Sequence, residues 1–507
     1  MQLTDDPLGA WGQVELTLAR GLLDHQAGGA LDPADLADLA RERQLIAGVQ
    51  PQIFQLVTKG VLTADESALL AQLVAARQAA EQRISALQVQ ASTSEVATPD
   101  AIRAALPADA ALVFWVDLAA RGRLEEHWVC VVRSAGDPKW ERLPGTGPGG
   151  KWSAADNRLP WEVYSALAKS ATQAGIQALA VRLHTQRVAP VVRHLAGVKT
   201  LYVVPVNMMA GVPVEALTAD YAVSYVPSGT HLARLKGRPR PAGTRLLALG
   251  DPAFGDPEVW KPLPGTRVEV ERLRALAGAD ATVLTGTDAS ERRLEGLRAA
   301  GELKAFRYLH FATHGKGNDV RAFESALILA KDKLPQELTA KPGAPFLNGQ
   351  LSAGEVLEFW KLDADLVTLS ACETAVGKAG GGDGLLGFAQ AFLSAGARSV
   401  CLSLWKVDDA ATALLMSRFY ENLLGKRPGL AKPMGKAAAL DEAKRWLRAL
   451  SAEEARATAA ALAAGVPRAA GERINPVKPQ AAPAAAGEKP FTHPKFWAAF
   501  VLLGDPN

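Results

Sequence analysis

The chain predicts a mixed α/β protein, a mostly parallel sheet with helices on both faces, preceded by a helical region. Three observations carry that expectation. Its 507 residues are 48% hydrophobic and 21% charged, the balance of an ordinary globular chain able to bury a large core. The first ninety residues have helical periodicity. From about residue 108, short apolar runs alternate with helical periods, which is the pattern of strand and crossover helix.

Taken in order, the clearest early helix runs from Thr63 to about Gln90. Thr63 and Glu66 form an S/T-x-x-E capping box, and Leu69, Leu70, Leu73 and Val74 make an apolar stripe. No 34-residue self-similarity is visible there. A helical region over 1–91, a polar linker over 92–104 and an α/β region over 105–507 follow from these composition shifts. The α/β region divides into halves at about residue 265. Its first strands are ALVFWVDL, HWVCVVR, TLYVVPV and RLLALGDP. A helix near Arg267 to Ala277 then precedes ATVLTG, a helix from Ser290 precedes FRYLHFATHG, and DLVTLSACETAVG, a helix from Leu385 and RSVCLSLW complete the alternation. Residues 331–349 read as an exposed loop, and 451–490 as an alanine-rich helix running into a mobile insertion. The run HPKFWAAFVLLGD is expected to close the fold as a strand.

Lysine plus arginine exceed aspartate plus glutamate by 56 − 53 = 3, too few to suggest nucleic-acid or membrane binding through charge. The acidic start lacks a signal peptide's basic region, and no apolar run approaches the ~20 residues of a membrane span. A cytoplasmic protein is expected. Three cysteines without a CxxC pair give neither a disulfide framework nor a zinc site.

In parallel sheets chemistry gathers at the carboxyl ends of the strands. FRYLHFATHG ends in His314 and Gly315, and DLVTLSACETAVG passes Cys372 as its apolar run ends. On neighbouring parallel strands, these side chains emerge at one edge as a nucleophile and base. A free thiol, with pKa about 8.5, needs such a base at neutral pH. The amides of Gly315 and Cys372 would serve as oxyanion donors. Cys130 and Cys401, inside apolar runs, read as small buried hydrophobes. His310 and His314 are four apart but lie in a strand without the glutamate of HExxH, so His310 reads as a strand residue with a polar neighbour. GTGPGGK (145–151) places Trp152 where a phosphate loop needs Ser or Thr, and reads as a surface turn. GKAGGGDGLLG (377–387) reads as a flexible wall of the site. No metal or other cofactor is expected.

The phrases LHFATHG, LVTLSACETAVG, GDGLLGFAQAFLSAGARSVCLSLWKVDD and HPKFWAAFVLLGD, with TLYVVPVNMMAGVPVEAL and LLALGDPAF upstream, resemble the CHAT domain over roughly residues 105–507. That family is caspase-like and related to separase. The resemblance implies a caspase-like fold and a cysteine endopeptidase whose His-Cys dyad matches His314 and Cys372, with Gly315 as the oxyanion glycine. In separase-like relatives an acidic residue after the L-W strand binds a basic residue before the cut. SLWKVDD offers Asp408 and Asp409 there, one of which can cap the following helix while the other faces the pocket. The resemblance also implies a protein substrate, such as a bacterial gasdermin or another effector in regulated defence or cell death, and an unidentified activator or sensor. Lys333, Lys341, Arg473 and Lys478 are candidate autoprocessing sites. The rival readings are a non-catalytic interaction module of the same fold and a nucleotide-binding α/β protein using the glycine-rich loops.

Overall fold

The computed structural model describes residues 6–18, 33–57, 59, 62–92, 96–120, 123–169, 172–255, 259–318, 322–331, 345, 347–371, 387–464, 466 and 488–507. Among the described residues the chain opens with helices α1 (Pro7–Leu18), α2 (Pro33–Val57) and α3 (Ala64–Ser92). The capping box forms as its spacing predicts. Thr63 N–H donates to Glu66 Oε2 at 2.9 Å, and Glu66 N–H donates to Thr63 Oγ1 at 3.2 Å. The apolar stripe of α3 is not core, however: Leu69 is exposed, and Leu70, Leu73 and Val74 are half-buried. Helix α1 packs on the sheet instead, burying Ala10 and Trp11 in a cluster with Ile102, Phe114, Trp140 and Tyr202.

The linker expected over 92–104 is in part a helix, α4 (Pro99–Ala105). Thr98 caps it by accepting the Ala101 N–H, Pro99 suits its first turn, and Ile102 and Ala105 are buried three residues apart. Composition alone concealed these anchors.

The strands of the first half are β1 (Ala110–Ala120), β2 (Arg123–Val132), β3 (Lys139–Arg142), β4 (Thr200–Val204) and β5 (Ala222–Tyr225), with helices α5 (Ala154–Ala168), α6 (Gln173–Arg187) and α7 (Gly229–Gly237). Next come β6 (Leu246–Pro252), α8 (Pro264–Ala277), β7 (Ala281–Gly286), α9 (Glu291–Ala299), β8 (Tyr308–Thr313), β9 (Gly315–Lys316), β10 (Ala326–Ile328), β11 (Gln350–Ser352) and α10 (Ala353–Phe359). The chain ends with β12 (Leu366–Ala371), α11 (Gly387–Ala395), β13 (Ser399–Ser403), α12 (Asp409–Leu423), α13 (Lys436–Ala449), α14 (Ala452–Ala463), α15 (Pro494–Trp497) and β14 (Phe500–Gly504).

Among the described residues, eleven strands form one sheet in the order β3-β2-β1-β4-β5-β14-β13-β12-β8-β6-β7, and β9–β11 form a small antiparallel sheet. Helices cover both faces, so the strands bury side chains on both. Val113 and Trp115 enter one core while Leu112 and Phe114 enter the other, as period-two alternation requires. The sheet contains two parallel blocks of opposite direction. Strands β13, β12, β8, β6 and β7 run one way, β14, β5, β4 and β1 the other, and the reversal falls between β13 and β14. Polar ties reinforce this seam. Ser224 Oγ donates to Gly504 O at 2.8 Å, Ser399 Oγ donates to Asp505 O at 2.7 Å, and Arg398 Nη2 meets Asp505 Oδ2 at 2.7 Å.

Candidate active site

Strands β8 and β12 are parallel neighbours in a register that pairs Leu366 with Tyr308 and Ala371 with Thr313. Both are buried along their whole length. His314 follows Thr313 directly, and Cys372 follows Ala371 in sequence. Cys372 itself lies outside the described residues, as do most of the glycine-rich wall and the proposed processing sites Lys333, Lys341, Arg473 and Lys478.

The crossover from β6 to α8 builds the pocket of His314. The imidazole lies between Phe254 and Trp260, with ring centroids 5.0 and 5.2 Å away, and its Nε2 is 2.8 Å from the Lys261 carbonyl oxygen. A carbonyl only accepts, so Nε2 carries the proton, and in the neutral ring Nδ1 is the acceptor. The crossover is held by Asp251, which adopts φ 48°. Its N–H donates to Thr266 Oγ1 at 2.8 Å and its carboxylate pairs with Arg267 Nε at 2.7 Å. Gly315 starts β9, opposite Leu327, and Ile328 N–H donates to the His314 carbonyl at 2.9 Å. The backbone on either side of the histidine is thereby fixed.

The two aspartates divide as the sequence allowed. Asp408 caps α12, accepting the Ala411 N–H at 2.9 Å. Asp409 lines a cleft of about 340 Å³, open mouth included, with Thr266, Glu269, Thr313, Ser370 and Thr412. Gly265 permits the close approach of α8 to this wall, since a Cβ there would come within 3.3 Å of the Asp409 Cβ. Asp409 as a residue keeps an exposed surface at the cleft mouth. Even so, partial withdrawal of its carboxyl from water, then the charges of Asp408 and Glu269, raise its pKa, while His314 and Lys406 oppose the shift.

Behind the cleft lies a buried polar chain that sequence reasoning reached only at His310. Glu269 Oε1 is 2.8 Å from His310 Nε2, Ser370 Oγ donates to Glu269 Oε2 at 3.2 Å, and Tyr420 OH is 3.2 Å from His310 Nδ1 and 2.9 Å from Thr368 Oγ1. Glu269 was missed, as were Trp260 and Lys261. The signal for Glu269 was a carboxylate set among Val268, Val270 and Leu273, inside the buried stripe of α8. Cys130 and Cys401 are buried in β2 and β13, where burial raises both thiols, that of Cys401 to about 12. Among the described residues, no three His, Cys, Asp or Glu side chains gather as a metal site, and no helix is long and apolar enough to cross a membrane.

A family model described as the CHAT domain matches residues 166–505. The chain belongs to the CHAT domain family. This CHAT protein is 25% identical over 343 residues to tetratricopeptide repeat protein 28 of Mus musculus and of Homo sapiens. Each match covers 60% of the chain but only 12% and 11% of those much longer relatives. Among solved structures, the Saccharomyces cerevisiae separase-securin complex aligns with 90% of the CHAT chain and 33% of its own at 10% identity, with TM-score 0.48. The Arg-specific cysteine proteinase gingipain R aligns with 70% and 74% at 10% identity, with TM-score 0.33. With both scores under 0.5, the description of the fold rests on the sheet itself.

Proposed function

We propose that this CHAT protein is a cysteine endopeptidase that cleaves after a basic residue. The observation that carries the reading is His314, on the β8 end in register with the strand leading into Cys372, with Nε2 engaged by the Lys261 carbonyl. In this reading His314 Nδ1 takes the Cys372 thiol proton, and the thiolate attacks the peptide carbonyl carbon. The amides of Gly315 and Cys372 receive the oxyanion. As the tetrahedral species collapses, the C–N bond breaks and His314 returns the proton to the leaving amine. Water, deprotonated by the same ring, then hydrolyses the thioester. Asp409 recognises the cationic side chain before the cut, and Asp408 supports the wall as a helix cap. The natural substrate is a protein effector, a bacterial gasdermin being one candidate, and an activator or sensor controls the cut.

A peptide-library cleavage profile tests this reading. Cys372→Ala should abolish turnover and His314→Ala should lower it by about 10²–10⁴-fold. Cleavage that survives Cys372→Ala unchanged, or a preference for acidic residues before the cut, overturns it. Selective labelling of Cys372 by an acyloxymethylketone probe separates a peptidase from an interaction module.

A further inference from the structure

Among the described residues the one non-glycine with a positive φ is Asp251, at 48°. An L side chain occupies that conformation at a cost and keeps it where its surroundings hold it. Asp251 is also a bulge. The β6–β7 register shifts between Gly250 and Pro252, and the β6–β8 ladder stops at the Gly250–Ala312 pair, two residues short of His314. Beyond the bulge, Ala253 N–H donates to Gly286 O at 3.0 Å, so the chain follows β7 and leaves β8. It comes back over His314 with Phe254, Trp260 and Lys261, and the two ends of this crossover are joined at Asp251. The Asp251 N–H donates to Thr266 Oγ1 at 2.8 Å, and that hydroxyl donates to Leu263 O at 2.7 Å, two residues from Lys261. The Asp251 carboxylate meets Arg267 Nε at 2.7 Å, both side chains being largely buried. Gly250 permits this approach, since a Cβ there would lie 2.8 Å from the Thr266 carbonyl oxygen.

We propose that Asp251 is a positioning residue for His314: its tether to Arg267 at the stem of the crossover sets where the Lys261 carbonyl stands, and that carbonyl keeps the imidazole protonated at Nε2, with Nδ1 as the acceptor. That Nδ1 then serves the Cys372 thiol rests on the function proposed above, whereas control of the ring's tautomer does not. A turn that had only to redirect the chain would be served by glycine, which takes a positive φ without strain. Aspartate supplies what glycine lacks, a charged attachment to α8 that resists rotation of the crossover. The requirement is strict, because a group displaced by about 1 Å from its working position can lose two orders of magnitude in rate.

The test pairs Asp251→Gly, which keeps the backbone and removes the carboxylate, with Arg267→Met, which removes the donor, so that a folding defect in one leaves the other to report. Heteronuclear NMR of the full chain with isotopically labelled histidine, in which His314 is assigned by its loss in His314→Ala, should show a single Nε2-protonated imidazole in wild type at alkaline pH. Both variants should show a mixture of tautomers. Turnover of a peptide with arginine before the cut should fall about 10- to 100-fold in each variant and no further in the double variant. Adding Asp251→Gly to His314→Ala should change nothing, because a tether that acts through the imidazole has no ring left to place. Mixed tautomers already in wild type, a tautomer signal unchanged in both variants, or an equal loss of turnover in the His314→Ala background overturns the proposal. A single tautomer that the variants lose, in a chain that cleaves no peptide, would overturn the proposed function and keep the positioning role. Peptide cleavage with a tautomer indifferent to both variants would do the reverse.

Discussion

Adjacent aspartates that do opposite things give the sharpest check on the site. Replacing Asp408 by alanine removes the acceptor that holds the Ala411 N–H at 2.9 Å and exposes the first turn of α12, most of whose residues are buried. Loss of such a cap costs about 1 kcal/mol, which corresponds to a thermal midpoint lowered by roughly 1–3 °C. Replacing Asp409 by asparagine acts the other way. Its carboxyl pKa is raised in the fold, so between the unfolded and folded values the native state binds more protons, and stability declines as pH rises through that window. At neutral pH the ionised group therefore opposes folding. Asp409→Asn should leave the midpoint unchanged or raised there, with the difference from wild type vanishing below the usual aspartate range, where both side chains are neutral. Selectivity should split in the opposite sense. Asp409→Asn should lower kcat/KM for arginine before the cut by about 10- to 100-fold relative to a neutral residue, and Asp408→Ala should leave that ratio alone. Thermal denaturation across pH and paired-peptide kinetics read both effects. A loss of arginine preference in Asp408→Ala, with preference kept in Asp409→Asn, would refute the division of roles.

Three further outcomes follow from the packing. Iodoacetamide applied to the native chain at pH 8 should modify Cys372 and spare Cys130 and Cys401, whose thiols burial holds well above that pH; peptide mapping checks this, and native modification of Cys401 contradicts it. Burial pushes the Asp365 carboxyl up, but Lys436 at 2.5 Å and Arg307 at 2.8 Å outweigh it and hold the pKa below the usual range. The stability from this triad is present above the unfolded pKa and lost as pH falls through the depressed one. Lys436→Met should cost about 3–5 kcal/mol in denaturant titration, and a near-neutral result would mean the buried charge is compensated elsewhere. Phe392→Ala, which removes a fully buried ring flanked by Phe311, Trp360 and Phe388, should cost about 3–5 kcal/mol; a loss under 1 kcal/mol would contradict the packing.

Apolar runs separated by helical periods located β6, β8, β12, β13 and β14 in the sequence, because strands buried on both faces are mostly apolar, with few polar residues among them. The edge carrying His314 followed from the same pattern. Strand β5 was harder to see, since Ala222–Tyr225 is only four residues long and its pairing depends on β4 and β14 from distant parts of the chain. The reversal of direction was equally hidden, because periodicity records which residues are buried and not which way their neighbours run. At the site, spacing singled out His314, but Glu269, Trp260 and Lys261 acquire meaning only once α8 and its crossover lie against β8. Asp408 and Asp409 could not be told apart by residue type, since either can accept a backbone N–H. Only the direction in which α12 leaves the sheet separates them.

The position of β14 at the seam has a consequence for biosynthesis. Every other strand of the sheet leaves the ribosome before it, yet its partners are β13 on one side and β5 on the other. Until β14 arrives, nascent chains present two unfinished half-sheets with open edges, which are templates for unwanted pairing. Assembly of the whole sheet thus waits on a five-residue segment, so a premature stop ahead of Phe500 should release an aggregating product rather than a shortened folded chain.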